Sequence, residues 1–267
     1  MLTLLGDILN WTAAGIVFPL MLLPLAALAA RGRFLGTAVW LTALCLIFAA
    51  GFAFVALAPR FAVNVRSVDL ALFAGCAATL TLLIASAGGP RRATERLAPI
   101  FAAISRGVGR TVMWLVFLMA FTQFAVVILR YVFGVNFLAL QESITYMHGA
   151  VFLLAAGYAL LTDDQVRVDI FYRGASPKRK ALIDFLGTYF FLFPVCLLIL
   201  WTASSYVGQS WAVREGSAEA SGVPAVFILK SFIPAFAVLM AMAGFSIAAT
   251  AGAVLRGPKT ATANGER

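Results

Sequence analysis

Charged and metal-binding side chains are scarce in this chain of 267 residues. Only 12% of the residues are charged, there are three cysteines, and His148 is the single histidine. Soluble domains carry about 25% charged residues, so the composition excludes an ordinary soluble domain. One histidine cannot supply both axial ligands of a haem, which argues against a haem-bearing anchor of a redox complex. Cys45, Cys76 and Cys196 lie within apolar sequence, which predicts packing residues rather than disulfides.

Sequence motifs for catalysis are also missing. The chain has no Walker-type phosphate loop, no paired-cysteine metal motif and no Gly-x-Ser-x-Gly nucleophile elbow. We therefore expect no enzymatic activity, no metal and no cofactor. The net charge is +9, but the basic residues lie in short segments between apolar runs, where they set the orientation of membrane helices. Nucleic acid is therefore not an expected partner.

The chain contains seven long runs without any charged residue. A bilayer core about 30 Å thick needs roughly 20 apolar helical residues, and each run is close to that length or longer. The pattern predicts an all-α polytopic membrane protein with about seven transmembrane helices. No basic segment or cleavage site accompanies the first run, so we expect a retained helix rather than a cleaved signal. The runs are 8–30, 34–59, 70–90, 111–129, 143–162, 185–213 and 231–255.

The basic residues are distributed unevenly between the two sides of the predicted helices. Fifteen of the 20 lie in alternate connecting segments and in the C-terminal tail, and the other five are Arg60, Arg66, Arg130, Arg214 and Lys230. Because cytoplasmic segments carry the excess of Lys and Arg, the N-terminus is predicted to be periplasmic and the C-terminus cytoplasmic. A membrane that the chain crosses several times is the expected location.

The segment between the third and fourth runs divides the chain. Gly88-Gly89-Pro90-Arg91-Arg92 breaks the third helix, and the apolar residues after Pro99 recur at helical spacing. This spacing predicts a short amphipathic interfacial helix near residues 97–110. The expected organisation is a three-helix extension, a basic connector, a four-helix domain and a cytoplasmic tail, at 1–90, 91–110, 111–256 and 257–267.

Glu142 is the most informative polar residue, because it opens the fifth run close to Arg130 at the end of the fourth. As a helix-start acid it would favour the helix dipole and pair with Arg130. Alternatively, an intramembrane carboxylate can mark an ion pathway. A single carboxylate is poor material for an ion site, so the first interpretation is favoured. The lone His148 is interpreted as a residue that hydrogen-bonds between helices.

Other candidates lie near the ends and along the faces of later helices. Asp184 is interpreted as a helix-start acid, and Lys230 as a residue whose long stem reaches the outer interface. A contact with a partner helix or a lipid headgroup is the alternative for both. Gly244, Ala248 and Gly252 repeat at four-residue spacing, which allows close helix packing, either within the chain or against another subunit.

Residues 111–256 resemble the small membrane (Q-type) subunit of TRAP (tripartite ATP-independent periplasmic) transporters. Arg167 and Asp169 lie in one of the matching segments, where Gln165 occupies a position that is usually His. The order and spacing of several short motifs carry the resemblance, and the N-terminal three helices extend beyond it. The motifs are Arg130-Tyr131-Val132-Phe133, Gln141-Glu142, Gln165-Val166-Arg167-Val168-Asp169, Ser210-Trp211, Glu215-Gly216-Ser217, Gly222-Val223-Pro224, Lys230 and Ile233-Pro234.

The resemblance implies a transport component rather than an enzyme, and it implies a multi-pass protein of a bacterial inner membrane. It implies a scaffold, or stator, for a large elevator-type (M-type) subunit in sodium-coupled uptake of an organic acid, which a periplasmic binding protein delivers. The alternatives are an autonomous small transporter or channel that uses Glu142 and His148, and a membrane anchor of a redox complex. The candidate contacts with partner subunits or membrane lipids are Arg130, Glu142, Arg167, Asp169, Lys230, Gly244, Ala248 and Gly252.

Overall fold

The computed structural model describes residues 18–30, 36–46, 67–166, 172–219 and 221–257, and all regular secondary structure in them is helical. The helices are α1 (Phe18–Met21), α2 (Leu23–Ala29), α3 (Gly36–Leu46), α4 (Ser67–Ser86), α5 (Pro90–Tyr131), α6 (Leu138–Leu154), α7 (Ala156–Thr162), α8 (Pro177–Gly187), α9 (Phe193–Val213) and α10 (Val226–Arg256). A π-helical turn, Thr188–Leu192, joins α8 to α9. The all-α prediction is confirmed for these residues.

Four helical stretches are long and apolar enough to cross a membrane. They are Pro90–Tyr131, Leu138–Thr162, Pro177–Val213 and Val226–Arg256, and they contain or overlap the last four charge-free runs. The first two runs are described only in part, and the third forms α4, which is not among these four long spans. The total of about seven spans, the orientation and the division into domains stay predictions. Cys45 and Cys196 are free thiols, whereas the side chain of Cys76 lies outside the described residues.

The separate amphipathic helix expected near residues 97–110 is not observed. These residues belong to α5, which continues without a break for 42 residues, with Pro99 inside it. Ile100 and Ile104, two of the apolar residues after Pro99, are 52% and 41% exposed. The buried face consists of small residues instead, including Ala102 and Ser105. Small residues let helix backbones approach closely, and this face packs against α10.

Helix α10 is the centre of the described fold, because α2, α5, α6, α7, α8 and α9 all pack against it. Two hydroxyl groups join α5 to α10 directly. Ser246 Oγ donates to the carbonyl oxygen of Ala98 at 2.9 Å, and Ser105 Oγ donates to that of Leu239 at 3.4 Å. Buried hydroxyls need such partners in an apolar environment, so these bonds fix the register of the two helices.

The N-terminal helix α2 is attached to this centre by two side chains. Tyr189 lies in the π-helical turn; its hydroxyl donates to the carbonyl oxygen of Met21 at 2.7 Å and accepts from the amide of Leu25 at 3.0 Å. Arg256, the last residue of α10, donates to the carbonyl oxygen of Ala27 at 2.8 Å. Residues 18–30 therefore form part of the same packed unit as the helices that follow.

Candidate functional site

The site is built around the loop that joins α9 to α10, residues 214–225, which we call the α9–α10 loop. Arg214 ends α9 in the left-handed backbone conformation, with φ of 47°, and turns the chain away from the helix axis. The amide of Ser217 donates to the carbonyl oxygen of Val223 at 3.1 Å, and the amide of Gly222 donates to that of Glu219 at 3.0 Å. These bonds close the loop on itself.

Glu142 of α6 holds this loop through both oxygens of its carboxylate. Oε1 accepts from Ser217 Oγ at 2.5 Å, and Oε2 accepts from the backbone amide of Val223 at 2.6 Å. Hydrogen bonds to a carboxylate are stronger than those between neutral groups. One side chain of α6 therefore fixes two points of a loop that lies much later in the chain.

The expected pairing of Glu142 with Arg130 is wrong. Helix α6 begins at Leu138, so Glu142 lies beyond its first turn, and its carboxylate is directed to the α9–α10 loop instead of the helix start. Arg130 is exposed at the last turn of α5 and makes no ion pair with Glu142. Two short hydrogen bonds in a half-buried position satisfy the carboxylate better than an exposed ion pair.

The space next to the Glu142 carboxylate leaves no room for a side chain at position 222, where the chain has glycine. A Cβ atom at this position would lie 2.3 Å from Ser217 Oγ and 2.7 Å from Glu142 Oε1. Both distances are shorter than real contacts allow. A Cβ atom at Gly216, elsewhere in the loop, would lie 3.4 Å from the Cα atom of Pro224, which is close to ordinary contact.

Lys230 makes a second link between the loop and α10. Its Nζ lies 2.5 Å from Glu215 Oε2 and 4.1 Å from the centre of the Tyr206 ring. The side chain is only 15% exposed, and its ammonium group combines an ion pair with an aromatic contact. That the stem reaches the outer interface stays a prediction. The hydrogen bond from Lys230 lowers the pKa of the Glu215 carboxyl below its usual value.

The sequence pointed to some of these residues but not to their contacts. Glu142 and Lys230 are the predicted candidates that the structure places at the α9–α10 loop. Ser217 and Gly222 occur in the motifs that carry the family resemblance, and that was the only signal for them. The interactions of Arg167 and Asp169 lie outside the described residues.

His148 and Asp184 differ from their predicted roles. His148 is exposed, its ring stacks 6.1 Å from that of Phe152, and it makes no hydrogen bond to another described helix. Asp184 is not a helix-start acid, because α8 begins at Pro177, seven residues earlier. Its Oδ2 accepts from the hydroxyl of Tyr172 at 2.9 Å.

The small residues of α10 pack against other segments of the same chain. Gly244, Ala248 and Gly252 are all buried. A Cβ at Gly244 would lie 2.1 Å from Leu192 Cδ2, and one at Gly252 would lie 3.7 Å from the Phe185 ring. Of the two interpretations, packing inside the chain accounts for this face, whereas a contact with another subunit is not tested.

Four apolar spans and a rigidly held connecting loop are features of a multi-pass helical membrane protein. The family model for the DctQ component of tripartite ATP-independent periplasmic transporters matches residues 119–253, slightly more than half of the chain. The chain belongs to this family, and the predicted resemblance is confirmed. It is thus a membrane component of a transporter. No curated protein and no solved structure matches the chain.

Proposed function

We propose that this chain is the scaffold for a large elevator-type subunit in sodium-coupled uptake of an organic acid, which a periplasmic binding protein delivers. Membership of the DctQ family supports a transport component with these partners. The substrate and the sodium ions would be bound by the large subunit. This chain would hold a fixed position in the membrane while the other part moves.

The two hydrogen bonds that Glu142 accepts from the α9–α10 loop are the observation that carries the proposal. Both of its oxygens accept hydrogen bonds from the α9–α10 loop, so the carboxylate has a fixed structural role. The hydroxyls of Ser105 and Ser246 likewise hold α5 against α10. Polar groups that are occupied in static contacts between elements are expected in a scaffold, whereas a transport path needs groups that exchange partners with ions or water.

Residues 1–90 would enlarge this scaffold. The support comes from the described part of the segment, where Tyr189 and Arg256 hold α2 against the central helices. Complete assembly and transport after removal of residues 1–90 would contradict this role.

Co-purification from cells that express the chain with its chromosomal neighbours tests the scaffold. We expect a much larger polytopic protein to co-purify in mild detergent at fixed stoichiometry. Transport in liposomes should then require both membrane proteins and the binding protein. A chain that purifies alone and shows flux in liposomes, lost in Glu142→Gln, would support the autonomous transporter instead.

Variants at Glu142 separate the two hypotheses within the assembled complex. In a scaffold, Glu142→Gln loosens the α9–α10 loop and weakens transport by the complex, while the chain alone shows no flux. Glu95→Gln is the matched control, because Glu95 is an exposed carboxylate that pairs with Arg91 on its own helix and lies outside the α9–α10 loop. We expect this control to assemble and transport like the parent.

A further inference from the structure

A large crevice runs along α10 at the end away from the α9–α10 loop. Helices α5 and α7 form one wall, and α8, the π-helical turn and α9 form the other. Each wall packs on α10 rather than on the opposite wall, so the space between them stays open. Its volume is about 1340 Å³. Small-molecule pockets measure roughly 300–1,000 Å³, so this crevice suits a longer ligand.

The crevice is mostly apolar and continues into the outer surface of the helices. Leu161 and Met240 line its inner part, and Ile183, Phe191 and Val195 line the wall that opens to the outside. The last three are 45%, 74% and 51% exposed. These residues belong to predicted spans or their ends, where the surroundings are acyl chains. Hydrocarbon fills such a space at lower cost than water, which would lose hydrogen bonds there.

The crevice also carries a balanced set of charges. Arg106 projects from the α5 wall and Lys180 from the α8 wall, and the carboxylates of Asp163 and Asp184 line the same space. The Lys180 Nζ lies 5.0 Å from the centre of the Tyr172 ring, whose hydroxyl donates to Asp184. Two cations on facing walls suit a phosphate, and two carboxylates suit an ammonium group.

We propose that this crevice binds one phospholipid with a zwitterionic, amine-bearing headgroup. The acyl chains lie along α10 between Phe191, Val195 and Met240. Arg106 and Lys180 contact the phosphate, and the carboxylates face the amine. The lipid fills the gap between the two walls, and so it becomes part of the packed structure.

Native mass spectrometry of the full chain, stripped of loosely held lipid and then exposed to a defined phospholipid, tests this site. We expect one phosphatidylethanolamine molecule to be retained, and phosphatidylglycerol to be retained less. Val195→Trp fills the crevice and should abolish retention. Leu198→Trp is the matched control, because Leu198 is a 54% exposed residue one turn along α9 that does not line the crevice.

Headgroup contacts are tested with charge-removing variants. Arg106→Gln and Lys180→Gln should each weaken retention several-fold, since each loses a charge-assisted contact with the phosphate. Arg110→Gln and Arg179→Gln are the controls, because these exposed residues are basic neighbours that do not line the crevice. Equal losses in both pairs would show attraction to the general basic surface and overturn the site.

A photo-crosslinking amino acid at position 195, in membranes that hold the assembled complex, identifies the occupant without a destabilising variant. Crosslinks to phospholipid support the proposal. Crosslinks to another protein would show that a partner helix fills the crevice, and would overturn it. Equal lipid retention by Val195→Trp and Leu198→Trp, or a preference for phosphatidylglycerol, would overturn it as well.

Discussion

Glu142 shows how one carboxylate can organise a segment that is far away in sequence. Its two oxygens accept hydrogen bonds from the hydroxyl of Ser217 and the amide of Val223, which follow Glu142 by 75 and 81 residues. The Ser217 hydroxyl also accepts from the amide of Glu219 at 3.2 Å. The loop conformation therefore depends on a small cluster of bonds with little free space around it.

Gly222→Ala should disrupt this cluster. The added methyl group would overlap Ser217 Oγ and Glu142 Oε1, so at least one of the Glu142 hydrogen bonds must lengthen. Overpacking of this kind costs about 1–3 kcal/mol. We expect a lower thermal stability in detergent and faster protease cleavage within the α9–α10 loop.

Gly216→Ala is the matched control for this substitution. Its Cβ would meet only Pro224, at 3.4 Å or more, so the loop should keep its protease resistance. If the two variants behaved alike, the contact between Gly222 and the carboxylate would not determine the loop conformation.

The ion pair of Glu215 makes the loop sensitive to acid. Because the hydrogen bond from Lys230 lowers the pKa of Glu215 below its usual value of 4.5, the folded state favours the ionised carboxyl. The stabilisation is present above the unfolded pKa and is lost as the pH falls through the lower, folded pKa. We expect the thermal stability of the parent to fall on acidification below about pH 4.5.

The variant Glu215→Gln isolates this contribution from other carboxyls. It should be less stable than the parent at neutral pH and should approach it at low pH. A constant difference between the two proteins across this range would show that the ionisation of Glu215 does not stabilise the loop.

Sequence reasoning at this scale found residues more readily than contacts. Glu142 was identified because a carboxylate at the edge of an apolar run is unusual. Arg130 was chosen as its partner because two successive helix ends lie near each other. The real partners are a backbone amide and a hydroxyl in a distant loop, and their positions depend on how α9 ends at Arg214. No local pattern contains that information.

At the scale of single helices, close backbone contacts decide how α10 is packed. Gly157 of α7 lies against the backbone of Leu239, where a Cβ would be 2.9 Å from the carbonyl oxygen. A backbone atom cannot move aside as a flexible side chain can. Gly157 therefore fixes the distance between α7 and α10.

Gly157→Ala should push these helices apart and lower the free energy of unfolding by about 1–3 kcal/mol. Gly208→Ala is the matched control in α9, because no atom beyond the adjoining backbone and chain neighbours of its own helix lies within 4 Å of the position that its added methyl group would take. The control should be neutral or more stable by up to about 1 kcal/mol, since alanine favours the helix. Thermal unfolding in detergent measures both, and equal stability of the two variants would contradict the close contact.

Helix existence was predictable, whereas helix limits were not. Long charge-free runs identified the four spans because lipid excludes charge over about 20 residues. The prediction of a separate helix at 97–110 was wrong because α5 continues from Pro90 to Tyr131 through Pro99, although the basic residues of 91–110 were expected to form a separate connector. Its exposed side holds Ile100 and Ile104, and its buried face holds small residues such as Ala102 and Ser105. Periodicity finds the apolar face of a helix, but in membranes the packed face is often the one with small side chains.

For the whole molecule, the main question is how the N-terminal segment is attached to the helices that match the family. The match begins at residue 119, yet residues 18–30 already contact the region around Tyr189 and Arg256. The Tyr189 hydroxyl binds both a carbonyl oxygen and an amide of this segment. Removal of the Tyr189 hydroxyl leaves the carbonyl oxygen of Met21 and the amide of Leu25 without this hydrogen-bond partner.

Tyr189→Phe should therefore loosen residues 18–30 while the four long spans stay folded. Loss of a hydrogen bond costs about 0.5–1.5 kcal/mol, so the amides that open with this segment should exchange faster. Hydrogen exchange should increase at residues 18–30 and remain unchanged in α9 beyond Cys196. Tyr131→Phe is the control, because Tyr131 is 79% exposed. Unchanged exchange at residues 18–30 in Tyr189→Phe would mean that apolar packing alone holds the segment, since the hydroxyl bonds would then contribute nothing measurable.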